Sequence, residues 1–362
     1  MTRTGERADP GDDSVRDVEL ICSSSGEHLS QIYSGFALLA ARGLARVTLR
    51  RSTNYDGGCE GAILRAVIDG NRVVYDTRDH ASFPPEDLEW ATHYFKRSFL
   101  PSRVQSSGRS AIIKPLGLNY SVYAPGDWWC RRAWWSAVSA RPANARGALQ
   151  RIAGLTPGIS RVTAPGRANS SVTAFEQSPE FPGERVLLLT RTWDPGRAVG
   201  EQAEMRAAMN TTRAEGIRLL RRELGPVFIG GLAPWPSAIR DFPDLVVDPK
   251  LTKKGAYLRT MRSSSICITS QGLLGTNGWR LAEYVAGSRA VVNERLQHVV
   301  PGQFLDGVNF LSYSSPQELA TQVHRLLEDD DLRYQARMAN RAYYQTYVRP
   351  DALIERTLEY LP

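Results

Sequence analysis

With 362 residues the chain exceeds what one hydrophobic core usually serves, so two domains of roughly 150 to 180 residues with a cleft between them are expected. A hydrophobic content of 42% is ordinary for a soluble enzyme, and no apolar run reaches the ~18 to 20 residues that span a bilayer; the longest, Phe36 to Ala45, is broken by Arg42. The net charge of +7 does not point to nucleic acid, because only five of the 45 basic residues are lysines and the arginines are scattered instead of forming a block.

A local anion site is still expected from that charge. Residues 1–17 are charged and lack the apolar core of a secretory signal, so they read as a frayed tail and a cytoplasmic location follows. Cys22, Cys59, Cys130 and Cys267 stand far apart with no Cys-x-x-Cys pair, which argues against a zinc site and a disulfide framework. Cys22 and Cys267 lie in apolar runs that read as core strands.

Val18 to Cys22 reads as a strand, Leu29 to Arg42 as a helix stopped by Gly43, and Val47 to Arg50 as a second strand. Such a strand-helix-strand unit has the length that a right-handed parallel crossover needs. Arg72 to Asp76 and Ala111 to Lys114 read as further strands, with Glu86 to Phe95 a helix between them, so residues 18–180 are expected to form an α/β domain. From Trp128 to Gly183, clusters of proline, glycine, serine and asparagine break every period, and insertions and the linker are placed there. Within it, Trp128 to Trp135 combines tryptophan with arginine, which suits a weak peripheral membrane contact or a nucleic-acid contact. An amphipathic helix packing large aromatics under a long loop is the preferred reading of the same residues.

Residues 185–347 are more regular. Strands are expected at Arg185 to Leu189, Pro226 to Ile229, Leu245 to Val247, Ser265 to Thr269 and Ala290 to Val292. Helices are expected at Glu201 to Glu223, Thr252 to Met261, Pro316 to Glu328 and Asp331 to Tyr347, with a last one from Arg349 to Leu361. Continuously apolar strands alternating with helices indicate a parallel sheet covered on both faces, hence a Rossmann-like domain. In such sheets ligands bind beyond the carboxyl ends of the strands. The loops there are 190–196, 230–235, 248–254 and 270–278, and the last is glycine-rich and runs into a helix, where a backbone approaches phosphate closely. It is neither a Walker loop nor a dinucleotide fingerprint. Asp329 to Asp331 separates two helices and reads as a helix start, not a metal site.

The segment from Leu187 to Asp351 resembles the C-terminal domain of group 1 glycosyltransferases of GT-B fold, in particular the subgroup related to the spore-protein glycosyltransferase-like domain. The residues that carry the resemblance are TRTWDP at 190–195, FIGGL at 228–232, GLLGTNGWRLAEYVAGSRAVV at 272–292, PGQFLDGVNFLSYSSPQEL at 301–319 and LLEDDDLRYQARMANRAYYQTYVRPDALI at 326–354. The N-terminal half is similar only loosely, through its first strand-helix-strand and KPLGLNY at 114–120.

The resemblance implies an α/β protein of two Rossmann-like domains facing a cleft. Residues 18–180 would bind the acceptor, residues 185–347 the donor, and 348–362 would be a helix crossing back to the first domain. It implies a nucleotide-diphosphate sugar as co-substrate, no other cofactor and no metal. Glu283 matches the residue that accepts hydrogen bonds from the ribose, Gly275, Thr276, Asn277 and Gly278 the phosphate loop, with Thr276 or Asn277 capping the following helix, and Arg191 a diphosphate cation; Lys253 and Lys254 match the second cation. Retaining members commonly keep a glutamate eight positions before the ribose glutamate, where this chain has Gly275, so inverting transfer is expected.

Inverting transfer needs a general base from the opposing domain. His28 is similar in placement to the catalytic histidine of small-molecule inverting GT-B enzymes, and Asp79 with His80, in the cluster from Asp76 to His80, is the alternative. His93, His298 and His324 read as packing or surface residues. The acceptor is open among a glycan, a lipid-linked glycan and a small natural product. A nucleotide-sugar epimerase and a non-catalytic nucleotide-sugar-binding protein are the rival functions on the same scaffold.

Overall fold

The computed structural model describes residues 15–22, 27–51, 61–124, 170–180 and 183–362. Trp128 to Trp135, Cys59, Cys130 and most of the expected linker lie outside the described residues.

The first sheet has six strands in the order β2-β1-β3-β4-β5-β6, formed by Arg16–Cys22 (β1), Ala45–Arg51 (β2), Ile63–Ile68 (β3), Asn71–Asp76 (β4), His93–Lys96 (β5) and Ile113–Pro115 (β6). β1 pairs with β2 in parallel across the crossover helix Ser30–Ala41, and β4, β5 and β6 also run parallel. β3 is antiparallel to both β1 and β4. It joins β4 through Asp69-Gly70, both with positive φ (47° and 80°), the two-residue turn whose twist matches a hairpin. The hairpin places a reversed strand in the middle of an otherwise Rossmann-like domain.

One expectation needs correction here. Glu86 to Phe95 is not one helix: Pro85–Trp90 is a short helix, and the chain re-enters the sheet as β5. Leu88 and Phe95 stand seven apart and Trp90 and Tyr94 four apart, pairs that a helix would also bring together, yet Tyr94 and Phe95 are fully buried from a strand, so tertiary packing overrides the local pattern. His93 accordingly lies on a strand.

The second sheet is wholly parallel, in the order β11-β10-β9-β7-β8, from Arg185–Thr190 (β7), Phe228–Leu232 (β8), Ser264–Thr269 (β9), Ala290–Glu294 (β10) and Phe310–Tyr313 (β11). Successive residues of a strand feed different cores: Val186, Leu188, Ile266 and Ile268 one face, Leu187, Leu189 and Cys267 the other. That is why each strand is apolar throughout. Leu245 to Val247 is a single-turn helix, Pro243–Leu245, followed by one bridge from Val246 to Leu232, not a strand. The expected helix at 252–261 is two pieces, Pro249–Thr252 and Lys254–Arg262, split where Lys253 is extended. Asp330–Tyr343 passes into a π-turn, Tyr344–Val348, before the last helix, Pro350–Leu358.

That last helix packs on the first domain. Leu353, Ile354 and Leu358 join the core of Leu20, Phe36, Leu64 and Phe95, and Thr357 pairs its hydroxyl with Tyr75 Oη at 2.9 Å. Gly35 permits the close approach, since a side-chain carbon there would collide with the Pro350 carbonyl. In exchange, Leu118, Tyr120 and Val122 enter the core of the second domain. The fold is thus α/β, two Rossmann-like domains facing a cleft.

Candidate functional site

The carboxyl ends of both sheets open onto one cleft of about 740 Å³. Its N-terminal wall presents His28, Asp79 and Arg97, and its C-terminal wall presents Arg191, Lys254, Arg280 and Glu283 among others.

Glu283 stands on the helix Trp279–Ala286, whose apolar residues Leu281, Ala282, Val285 and Ala286 are buried. Its own side chain is also buried, 5% exposed overall, with Oε1 accepting from Lys254 Nζ at 2.6 Å. Burial pushes its carboxyl up, but Lys254 and Arg280 together outweigh burial and hold it below the usual carboxylate range. Glu283 is therefore an ionised acceptor in a low-dielectric wall.

The helix begins without a side-chain cap. Its N-cap is Gly278, and neither Thr276 nor Asn277 fills the role expected of it: Thr276 Oγ1 donates to the Leu273 carbonyl at 3.0 Å, and Asn277 Nδ2 to the His298 carbonyl at 3.4 Å. The first N–H groups of the helix thus have no side-chain acceptor. The preceding loop turns back on itself through Gly272 N–H to the Thr276 carbonyl at 2.8 Å, with Leu274 and Gly275 in left-handed conformation (φ 61° and 70°). His298 Nδ1 lies 2.9 Å from the Gly275 carbonyl. A side-chain carbon at 275 would collide with Gln297, so the position is built for glycine twice over.

Arg191 follows β7, with its guanidinium 3.9 Å from the centre of the Trp193 ring. Burial lowers its pKa, and Asp79 across the cleft acts in the opposite sense. Lys254 lines the cleft; Lys253, the residue before its helix, does not, nor do Gly275 and Asn277. Three contributors escaped the sequence reading. Arg213 donates through Nε, Nη1 and Nη2 to Ser270 Oγ and the carbonyls of Arg191 and Gln271, tying the loops after β7 and β9 together. Arg280 stacks 4.3 Å from the Tyr257 ring centre, and Arg97 reaches in from the first domain. A signal for Arg213 was present: on the helix Glu201–Leu224, Asn210, Arg213, Ala214 and Ile217 share the buried stripe, where two polar residues need a reason.

Of the base candidates, His28 sits in the single turn Glu27–Leu29 between β1 and the crossover helix, its ring edge-on to Trp279 at 4.9 Å between centres. Asp79 lines the cleft and accepts from Arg97 Nη1 at 2.7 Å. His80 is exposed and lies outside the lining. Asp76 is buried under Arg78, Tyr94 and Lys96, so the cluster from Asp76 to His80 is divided between packing, cleft and solvent. His298 is buried behind the loop, His324 pairs with Glu223 at 3.1 Å on the far surface, and Asp329 caps its helix by accepting from Leu332 N–H. Among the described residues, no group of three or more His, Cys, Asp and Glu is placed to hold a metal, and no helix is long and apolar enough to cross a membrane.

Residues 191–359 match the family model described as glycosyl transferase-like, in agreement with an enzyme of the glycosyltransferase class. No curated protein matches the chain. Among solved structures, the chain is similar to an α1,3-fucosyltransferase, at 12% identity over 96% of this chain and 85% of that one, with a TM-score of 0.40. It is also similar to WaaG, a glycosyltransferase involved in lipopolysaccharide biosynthesis, at 12% identity over 96% and 99% of the two chains, with a TM-score of 0.37. HepE of Anabaena, solved in complex with UDP, is 13% identical over 96% and 99%, with a TM-score of 0.36.

Proposed function

We propose that the protein transfers a sugar from a nucleotide-diphosphate donor, held by the C-terminal domain, to an acceptor hydroxyl presented by the N-terminal domain, with inversion and without a metal. The observation that carries the reading is the ionised, buried Glu283 one turn into an uncapped helix, beside Lys254 and Arg191 in the interdomain cleft. The carboxylate has Lys254 as a structural partner, and as an acceptor it also suits a ribose with two hydroxyl donors.

In the proposed reaction His28 takes the proton of the acceptor hydroxyl as its oxygen attacks the anomeric carbon from the face opposite the diphosphate. The bond from that carbon to the diphosphate oxygen breaks, and the nucleoside diphosphate leaves with the electron pair. Arg191, Lys254 and the free N–H groups at the start of the Glu283 helix meet the charge that develops on it, the work a metal does in other sites. Inversion rests on the resemblance alone, which has Gly275 where retaining members commonly keep a glutamate. The acceptor is left as a glycan, a lipid-linked glycan or a small natural product, and a weak membrane contact would suit the second.

The test is titration with uridine, guanosine and thymidine diphosphates, followed by incubation of the matching nucleotide sugars without acceptor. Binding with slow hydrolysis is expected. Epimerised sugar would replace the reading with an epimerase; binding without turnover under any acceptor would replace it with a non-catalytic binder; no binding would remove the donor site.

A further inference from the structure

The N-terminal wall holds an ionic chain that the proposed reaction does not use. Asp76, fully buried at the end of β4, accepts from Tyr94 Oη at 2.6 Å, Lys96 Nζ at 2.7 Å and Arg78 Nη2 at 2.9 Å. Arg97 follows directly, its backbone N–H donating to the Asp76 carbonyl at 2.9 Å, so the end of β5 is fixed before the side chain departs. That side chain is 4% exposed. Nη1 donates to Asp79 Oδ1 at 2.7 Å, and Nη2 crosses to the other domain, donating to the Asn277 carbonyl at 2.7 Å. Two residues on, Phe99 and Val299 form an antiparallel bridge, Val299 N–H to the Phe99 carbonyl at 3.0 Å. His298, the neighbour of Val299, holds the Gly275 carbonyl. A three-residue strap from the first domain thereby touches the loop 275–278 directly at Asn277 and, through Val299, pairs with the segment whose His298 holds Gly275.

Asn277 immediately precedes Gly278, the N-cap of the Glu283 helix. In a planar trans peptide the carbonyl and the following N–H point in opposite directions, so holding the Asn277 carbonyl towards Arg97 fixes the Gly278 N–H away from it. A neutral carbonyl does not compensate a buried guanidinium, and Asp79 supplies the counter-charge. We propose that Arg97 is a positioning residue: by holding the Asn277 carbonyl it sets the backbone at the start of the Glu283 helix, and makes the diphosphate end of the cleft depend on docking of the N-terminal domain.

The inference rests on the donor-site reading given above, and two readouts on the full chain keep the two apart. Calorimetry with uridine, guanosine and thymidine diphosphates and with the parent nucleosides compares wild type, Arg97→Met and Arg97→Lys. Arg97→Met should weaken the diphosphate that binds wild type by about tenfold while leaving its nucleoside unchanged, and Arg97→Lys, which keeps the charge without the fork, should recover part of the loss. Hydrogen exchange should quicken at residues 276–278 in Arg97→Met without change in β9. Equal diphosphate affinity with unaltered exchange in a folded variant overturns the proposal, as does an equal loss of nucleoside and diphosphate. Should Arg97→Met not fold, Arg97→Lys decides by the same two readouts. If no diphosphate binds wild type, the donor-site reading fails, and exchange at 276–278 alone decides whether Arg97 holds the loop.

Discussion

On the C-terminal wall of the cleft, one buried carboxylate is answered by Lys254 and Arg280, with Arg191 and the start of a helix close by. On the N-terminal wall, the carboxylates at the end of β4 are already engaged, Asp76 by Arg78 and Lys96 and Asp79 by Arg97. The first wall has positive groups to spare and suits an anion; the second pairs Asp76 and Asp79 internally, with His28 and Glu27 also lining the cleft. The same residue types thus leave positive charge open to the cleft on one side and pair it off on the other.

The largest effect should come from breaking this division at His28. His28→Ala is expected to lower transfer about a hundredfold to ten-thousandfold while nucleoside-diphosphate affinity is kept, the signature of a lost base. Measured by donor turnover and calorimetry together, unchanged turnover in a folded variant would return the role to Asp79. Glu283→Ala should show the reverse pattern, weakening nucleoside-diphosphate binding by about 1 to 3 kcal/mol. Unaltered affinity there would remove the ribose assignment.

Glu283 also carries a pH signature. Its folded-state pKa is depressed, so its contribution to stability is fully present above the unfolded carboxylate pKa and is lost as pH falls through the folded value. Thermal melts taken from neutral pH downward should therefore show a shallower acid decline in Glu283→Gln than in wild type. A parallel decline would mean that the pair with Lys254 adds nothing to the fold. At Gly275 the expected change is smaller: alanine in the left-handed region costs about 1 to 2 kcal/mol, and Gln297 must also move. A Gly275→Ala melt equal to wild type would show that the loop relaxes freely.

The same contrast governs what the sequence could reveal. β7, β9 and β10 were legible because each is an unbroken apolar run set between glycine or polar loops, and Glu283 was legible because nothing in an apolar helix face calls for it. The N-terminal sheet was harder. Ile63–Ile68 carries Arg65 in its middle and follows a glycine-rich stretch, and the Asp69-Gly70 turn that marks its hairpin was the available clue. β5 was concealed by aromatic spacing that imitates a helix. Lys96 and Arg97 look like an ordinary basic pair, and neither their burial nor a contact spanning 180 positions has a local signature. Thr276 and Asn277 have the side chains of helix caps, yet their partners are a loop carbonyl and the chain behind it, which only the folded backbone supplies.

The smallest effect is expected furthest from either wall. His324 and Glu223 form a pair on the outer surface, with side chains 40% and 32% exposed, in a groove that does not communicate with the cleft lining. Solvent screens such a pair, and His324→Ala should move stability by no more than about 0.5 kcal/mol and leave nucleotide affinity and turnover unchanged. His298→Ala makes the sharper companion, because that ring braces the Gly275 carbonyl from behind without lining the cleft. If the donor loop must be held to bind diphosphate, His298→Ala weakens nucleoside-diphosphate binding while His324→Ala does not. Equal behaviour of the two variants in the same titration would show that bracing the loop contributes nothing to the site.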